Sequence, residues 1–260
     1  MSASALSDVS DQMTQTMAQL STGKNAVDAL SADSAFVINL ESQEKSLNQF
    51  VKNAQDGLSL VNVAAATLSQ TTQMLEQMKV LAQQSANSVY STNDRTGFQS
   101  KFAALNNEIS RSASTSTFNG VSLGSASGTI SIFVNDTSSL GITINLSDLT
   151  TGSTGLNTSS LDISTTSGAS SAISTLTTAL GSVATASTNY ASIASRLQYS
   201  INSLTATQQN ISKARSVVQD TDYAAATSTL AKQNVLKAAG MAMLVQANQA
   251  PQGVLQLLRS

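Results

Sequence analysis

Two runs of apolar residues with heptad spacing constrain the fold of this chain more than any other feature. In the first run, the spacing alternates between four and three residues, which places every member on one side of a helix. Its members are Leu47, Val51, Ala54, Leu58, Val61, Ala65, Leu68, Thr72 and Leu75. This pattern is typical of a coiled-coil seam, so the run predicts a long helix that packs against another helix.

The second run lies near the other end of the chain and keeps the same alternation. Its members are Ile193, Leu197, Ser200, Leu204, Thr207, Ile211, Ala214 and Val218. Smaller or polar residues occupy some of these seam positions. We expect the two runs to pair with each other, either as an antiparallel coiled coil or within a helical bundle.

A shorter periodic run predicts a helix at the amino terminus. It stops at Gly23, a residue type that commonly ends a helix in the left-handed conformation. Its apolar members are Leu6, Val9, Met13, Met17 and Leu20. The first eight residues have neither a positive leader nor an unbroken apolar segment, so we expect no ordinary cleaved signal peptide.

The carboxyl-terminal stretch is apolar on every side of its predicted helix, whereas a surface helix shows a single apolar stripe. Its apolar residues are Leu230, Val235, Leu236, Met241, Met243, Leu244, Val245, Val254 and Leu257. Polar residues such as Asn234 and Gln246 recur among them, which argues against a membrane span. We therefore expect protein to cover this stretch, and copies of the same chain are the natural candidates.

The middle of the chain, from about 112 to 189, is rich in Ser, Thr and Gly. Apolar and polar residues alternate at 129–134 and at 141–146, which predicts two half-buried strands. The polar segment between them predicts a connection, so the strands would form a hairpin. A helix is expected before this region, from about Asp94 to Arg111 with Asp94 as its cap, and another helix is expected from about Ala169.

Composition favours long packed helices and excludes several classes of function. Of the 260 residues, 41% are hydrophobic but only 4% are aromatic, so the core must be built mainly from Ala, Leu and Val. A formal net charge of -2 offers no basic surface for nucleic acid or for an anionic membrane. The chain has no Cys and no His, which excludes disulfides, thiolate zinc sites and a Ser-His-Asp triad.

The most suggestive acidic pair is Asp220 with Asp222. A divalent cation needs several converging oxygen ligands, and no further acidic residue is nearby in the sequence. We interpret the segment as a helix break followed by an N-cap, and we interpret Glu41 and Glu44 as solvated surface charges. No catalytic, cofactor or metal site is predicted, and no cofactor is expected.

These patterns together predict a mainly α fold. Both ends of the chain would form a long antiparallel coiled-coil helical bundle, and the middle region would contain a small β-hairpin. Such a chain, with apolar helices that need covering, is expected to act by assembly.

Several motifs, in order along the chain, resemble those of bacterial flagellin. They are Leu20-Ser-Thr-Gly-Lys24, Asn53-Ala-Gln-Asp-Gly-Leu-Ser-Leu60, Leu81-Ala-Gln-Gln-Ser-Ala-Asn87 and Phe118-Asn-Gly-Val121. The carboxyl end from Asn210 to Leu258 is similar almost throughout, including Ala247-Asn-Gln-Ala-Pro-Gln252. Each motif alone is weak, but their shared order over both helical ends is specific. The stretch before the first motif is shorter than is usual in flagellins.

The resemblance implies a structural subunit that polymerises into the flagellar filament. It implies a terminal coiled-coil domain in the filament core, formed by 1–35 and 220–260. A helical rod domain at 36–219 would carry an outward-facing region at about 112–168. The residues of the three periodic runs and of the carboxyl-terminal stretch would then make the coiled-coil and polymerisation contacts.

The resemblance also implies partners and a location. The partners would be other copies of the chain in a helical homopolymer, the flagellar export apparatus with its chaperone, and the hook-associated cap and junction proteins. The location would be the extracellular flagellum, reached by the flagellar export route. Rival hypotheses are a hook–filament junction protein of the same superfamily, a cell-surface adhesin that uses its Ser/Thr-rich middle, and an enzyme that depends on Asp220 or Asp222.

One segment resembles the part of flagellin that the host Toll-like receptor recognises. The residues with the character usual in the family are Lys79, Leu81 and Glu108. Gln77 and Val80 stand where a basic and an acidic residue are usual, so the resemblance leaves the strength of receptor activation open.

Overall fold

The computed structural model describes residues 2–25, 32–125, 127–135 and 141–258, and it describes the side chains of 4–25, 34–125, 127–135 and 141–246. Five helices and four short strands follow one another along these ranges. The helices are α1 (Ser2–Thr22), α2 (Ala32–Ala86), α3 (Thr92–Thr115), α4 (Thr166–Gln219) and α5 (Tyr223–Leu258). The strands are β1 (Thr117–Phe118), β2 (Val121–Ser122), β3 (Gly128–Ile132) and β4 (Ile142–Leu146). The mainly α fold predicted from the sequence is confirmed.

The chain forms two compact units, and each is described by itself. One unit contains residues 1–45 and 208–260, and the other contains residues 46–207. Both α2 and α4 contribute to each unit. The domain boundaries predicted from the sequence, at 35/36 and 219/220, stay a prediction.

The core of the 46–207 unit is built from the inner faces of α2, α3 and α4 together with β4. The buried residues of α4 keep the alternation of three and four residues over half of the helix. They are Ala169, Ala172, Leu176, Ala179, Val183, Ala186, Tyr190, Ile193 and Leu197. The heptad seam of α4 therefore begins well before Ile193, where the predicted run starts, and alanines fill many of its early positions where close helix packing leaves little room.

About half of the predicted seam positions of α2 are buried. Ala54, Val61, Leu68 and Leu75 are buried, which matches the heptad run. At the alternate positions, Leu58, Ala65 and Thr72 are only half-buried, and the residue before each of them is buried instead. The buried face is displaced because α2 packs against the hairpin and α3 as well as against α4.

Helix α3 begins at a capping box whose N-cap is three residues before the predicted cap, Asp94. Ser91 is the N-cap: its hydroxyl accepts a hydrogen bond from the Asp94 backbone N–H, and the Asp94 carboxylate accepts one from the Ser91 N–H at 3.0 Å. The hydrogen bonds from Ser91 lower the pKa of Asp94. Asp94 therefore stabilises the helix start from its first turn and is not the cap itself.

The predicted hairpin is confirmed as the antiparallel pair β3–β4, in which Ile130 faces Ile144 and Ile132 faces Ile142. Ile142, Ile144 and Leu146 are buried on one side of β4. Most of the predicted connection, residues 136–140, lies outside the described residues.

The two-residue strands β1 and β2 form a second hairpin, which was not predicted. Its turn residues, Asn119 and Gly120, have positive φ values of 48° and 79°. An Asn-Gly pair is the preferred sequence for such a turn, so the signal for this hairpin is present in the sequence.

The Asn53–Gly57 motif holds β3 and its following residues against α2. The Asn53 side-chain amide donates a hydrogen bond of 3.0 Å to the Phe133 carbonyl. At Gly57 the approach is so close that a Cβ would lie 2.9 Å from Ile132 Cγ1. The motif therefore combines a polar anchor with a glycine that makes room for the hairpin.

Replacement of Gly57 by alanine should destabilise the 46–207 unit. The added methyl group forces Ile132 to move, at a cost of about 1–3 kcal/mol, which exceeds the roughly 0.5–1 kcal/mol that alanine gains in a helix. Urea denaturation of the full chain measures the change. In the matched control Gly97→Ala, on α3, nothing lies within 4 Å of the new methyl group, so stability should rise. The sign at Gly57 should also reverse when Ile132→Ala removes the clash; equal effects of Gly57→Ala in both backgrounds would contradict this account.

Candidate assembly surface

Helix α5 packs against α1, and both helices turn a heptad seam towards each other. The seam positions are the residues of each helix that are buried or half-buried at alternating intervals of three and four. They are Leu6, Val9, Met13, Thr16, Leu20 and Gly23 on the α1 side, and Ala226, Leu230, Gln233, Lys237, Gly240 and Leu244 on α5. The sequence pattern placed Met17 on this side of α1, but the structure buries Thr16 there and leaves Met17 45% exposed.

Two close contacts fix the antiparallel register of this pair. A Cβ at Gly240 would lie 3.4 Å from Leu6 Cδ1, and a Cβ at Gly23 would lie 3.1 Å from the Tyr223 hydroxyl oxygen. Each heptad forward along α1 therefore matches a heptad backward along α5, which places Met13 opposite Gln233.

Backbone hydrogen bonds tie the end of α1 to the junction between α4 and α5. Gly23 adopts the left-handed conformation, with a φ of 68°, and its carbonyl accepts a hydrogen bond from the Thr221 N–H at 3.0 Å. The Asn25 N–H donates to the Gln219 carbonyl at 2.7 Å. We call these contacts of residues 23–25 with residues 219–221 the junction clasp.

The acidic segment at the junction acts as a helix boundary. Helix α4 ends at Gln219, and Asp222 Oδ1 accepts hydrogen bonds from the Ala224 N–H at 2.9 Å and the Ala225 N–H at 3.2 Å. The interpretation of this segment as a helix break followed by an N-cap is confirmed. Within the described ranges, no three acidic side chains lie close enough together to hold a metal ion.

Glu44 is not a freely solvated charge, which corrects the sequence interpretation. Its carboxylate lies 2.6 Å from Arg215 Nη1, and the two side chains are only 20% and 32% exposed. The ion pair joins α2 to α4 within the 1–45 and 208–260 unit. Glu41 is half-buried.

Outside its seam, α5 exposes several large apolar side chains. Val235 and Met243 are each 69% exposed. The full set of exposed residues comprises Val235, Leu236, Met241, Met243 and Val245 on α5, with Met17 on α1. We call this set the outer apolar face. A helix that packs only against α1 would be expected to expose fewer large apolar side chains, so the outer apolar face is a candidate assembly surface.

The remaining positions of the two long heptad runs lie along α2 and α4. Val61, Leu68, Leu75, Ile193 and Leu197 are buried. Half-buried positions are Leu47, Val51, Leu58, Leu204, Ile211 and Val218. The side chains of Val254 and Leu257 lie outside the described residues. Thus the structure brings the runs into helical seams and leaves their part in polymerisation a prediction.

The three residues with receptor-like character lie on neighbouring faces of α2 and α3. Lys79 and Leu81 are half-buried, and Leu81 lines a groove of about 830 Å³ together with Val80, Lys101 and Leu105. Glu108 is exposed and accepts a hydrogen bond of 2.9 Å from Arg111 Nε, which lowers the pKa of its carboxylate. Their part in receptor recognition stays a prediction.

No helix in the described ranges has a stretch of the length and apolarity that crossing a membrane requires.

Comparison with known families gives two matches that together cover most of the chain. The family model for the bacterial flagellin N-terminal helical region matches residues 2–129, and the model for the bacterial flagellin C-terminal helical region matches residues 173–258. Both matches include the motifs quoted from the sequence.

Individual relatives agree with these matches. A flagellin of Halalkalibacterium halodurans is 31% identical over 221 residues, which cover 85% of this chain and 81% of the relative. The flagellar filament 33 kDa core protein of Treponema phagedenis is 30% identical over 241 residues, which cover 85% of this chain and 82% of the relative.

Two solved structures share the fold. The crystal structure of Bacillus cereus flagellin aligns with a TM-score of 0.53 and 28% identity, over 59% of this chain and 88% of that one. A putative flagellar hook-associated protein from Vibrio parahaemolyticus aligns with a TM-score of 0.59 over 70% of this chain and 95% of that one. At 14% identity, the second match shows the fold alone.

Proposed function

Because the chain belongs to the bacterial flagellin family and is a structural subunit of the flagellar filament, we propose that the outer apolar face of α1 and α5 is the surface through which its copies polymerise. The single observation that carries this proposal is the number of large apolar side chains that α5 exposes. The five α5 side chains of the outer apolar face are exposed, while the polar Gln233 and Lys237 share the seam that faces α1 with Leu230 and Leu244.

In the proposed filament, burial of this face against neighbouring copies supplies stabilising free energy beyond that of the contacts between α1 and α5. Each large side chain of the outer apolar face that becomes covered contributes about 1.5–3 kcal/mol. Identical copies that meet through different surfaces need not close into a ring, and repetition of such a contact generates a helical polymer. The proposed contact therefore suits a filament.

The two-part organisation expected from the sequence fits this proposal. The terminal domain of 1–35 and 220–260 would lie in the filament core, because it carries the outer apolar face. The rod domain of 36–219 would surround it, and the Ser/Thr-rich region at about 112–168 would face outwards. A hook–filament junction role and an adhesin role are not favoured by the family matches.

The proposal extends to export and to further partners. Subunits would leave the cell by the flagellar export route, accompanied by a chaperone, and would end in the extracellular flagellum between the junction and cap proteins. Recognition by the host Toll-like receptor through Lys79, Leu81 and Glu108 is a further expectation. The chain would act as a structural protein and not as an enzyme.

Salt-induced polymerisation of the purified full chain tests the proposed function. Negative-stain electron microscopy should show long filaments for the intact chain. A copy that lacks residues 246–260 should not form filaments, because the deletion removes the end of α5. The deletion leaves the core of the 46–207 unit intact. Failure of the intact chain to form filaments under any salt condition would contradict the proposal, and a truncated copy that assembles normally would exclude residues 246–260 from the contact.

A further inference from the structure

Gln233 is a polar residue in the seam between α1 and α5. It is 6% exposed, and its carbonyl Oε1 accepts no hydrogen bond from any described residue. A buried amide oxygen without a partner destabilises the pair that contains it, and leucine at this position would pack better. The presence of glutamine therefore needs an explanation other than the stability of the pair.

The observed register surrounds Gln233 with adaptable neighbours. Met13 lies opposite it, and an unbranched thioether can adjust its shape around an amide. Thr16, the next seam residue of α1, is itself buried, so two buried polar residues occupy adjacent layers of the seam. In the same register, the space beside Gly240 receives Leu6.

A slip of one heptad would remove both features. Gln233 would then lie opposite Leu20 or Leu6, which are branched apolar side chains, and Gly240 would lose its contact with Leu6. The other α5 seam residues include Ala226, Leu230 and Leu244, which pack acceptably against apolar residues in several registers. Two seam residues of α5 are buried, Ala226 and Gln233, and Gln233 is the polar one, whereas Lys237 in the same seam is half-buried. A buried polar residue in a coiled-coil seam can specify register at a cost in stability.

We propose that Gln233 disfavours shifted registers of the α1/α5 pair, and that it acts together with the Gly240–Leu6 contact and the junction clasp to set the observed register. The register decides which residues of the outer apolar face lie beside Met17, and so which surface is offered to neighbouring copies. This consequence rests on the proposed function, but the register itself is a property of one chain and is measured without assembly.

Engineered cysteine pairs test the proposal, because the chain has no Cys of its own. The pair Leu6→Cys with Gly240→Cys reports the observed register, and the pair Met13→Cys with Gly240→Cys reports a slip of one heptad. Each pair is placed in the parent chain, in Gln233→Leu, and in the matched control Asn234→Leu, which adds the same apolar side chain at the exposed neighbouring position. Dilute protein is treated with a short thiol–thiol cross-linker, and the intramolecular product is measured by mass spectrometry.

In the parent and in Asn234→Leu, the observed-register pair should react and the slipped pair should stay at background. In Gln233→Leu, the slipped product should rise about tenfold, which corresponds to about 1.4 kcal/mol of lost register preference. The proposal is overturned if the slipped product stays at background in Gln233→Leu, if Asn234→Leu raises it equally, or if the observed-register pair fails to react in the parent. If the parent chain shows only the observed register but forms no filaments, the proposed function is contradicted and the role of Gln233 is not.

Discussion

Replacement of Val235, Met243 and Val245 by serine should abolish filament growth while leaving the chain folded. All three side chains are well exposed on α5, so their removal costs little in the isolated subunit. In the filament each would lose about 1.5–3 kcal/mol of apolar burial, which together raises the concentration needed for polymerisation by about a thousandfold or more. Sedimentation and electron microscopy after salt-induced polymerisation measure the effect.

The matched control removes exposed apolar side chains elsewhere. Val89, Val121 and Tyr199 lie in the 46–207 unit and are exposed to a similar degree. Their replacement by serine should leave the polymerisation concentration within a few-fold of the parent. If both triple variants lose filaments equally, the outer apolar face has no special role.

Phe102→Ala should produce the largest loss of stability from a single substitution. Phe102 is 1% exposed and is among the largest fully buried side chains of the 46–207 unit. Its truncation leaves a cavity among helices α2, α3 and α4, at a cost of about 3–5 kcal/mol. Urea denaturation of the full chain, with hydrogen exchange of the α3 amides, measures the change.

Phe133 provides the control for this prediction, because it lies in the same unit but is 42% exposed. Phe133→Ala should cost about 1 kcal/mol or less, since surface substitutions away from special features have small effects. Equal losses of unfolding free energy for Phe102→Ala and Phe133→Ala would contradict the placement of Phe102 in the core.

The fold was predictable where large apolar residues repeat with a clear period. Leu68 and Leu75 identify α2, and the alternating isoleucines of 142–146 identify β4. The helix from about Ala169 was predicted, but its seam was not joined to the later run, because Ala172 and Ala179 pack into it without a hydrophobic signal that separates them from ordinary surface alanines. Ser91 and Asp94 are both good capping residues three positions apart, so the sequence alone does not decide between them.

The assembly surface was predictable only in part. The sequence shows that α5 is apolar on all sides, but it does not show which side faces α1. Gln233 and Thr16 lie inside the seam, while Val235 and Met17 lie outside, which is the opposite of what their polarity indicates. Under the proposed assembly, neighbouring copies cover Val235 and Met17, so their apolar character follows from the polymer and not from the packing of a single chain.

The junction clasp has a consequence for the timing of folding. It joins residues 23–25 to residues 219–221, so α1 meets its partner helix only after almost the whole chain has been made. At synthesis rates of about 5–20 residues per second, about 10–40 s pass between the synthesis of α1 and the synthesis of α5. During this interval the amino-terminal segment is accessible, and contacts between such distant parts of a sequence form late in any case.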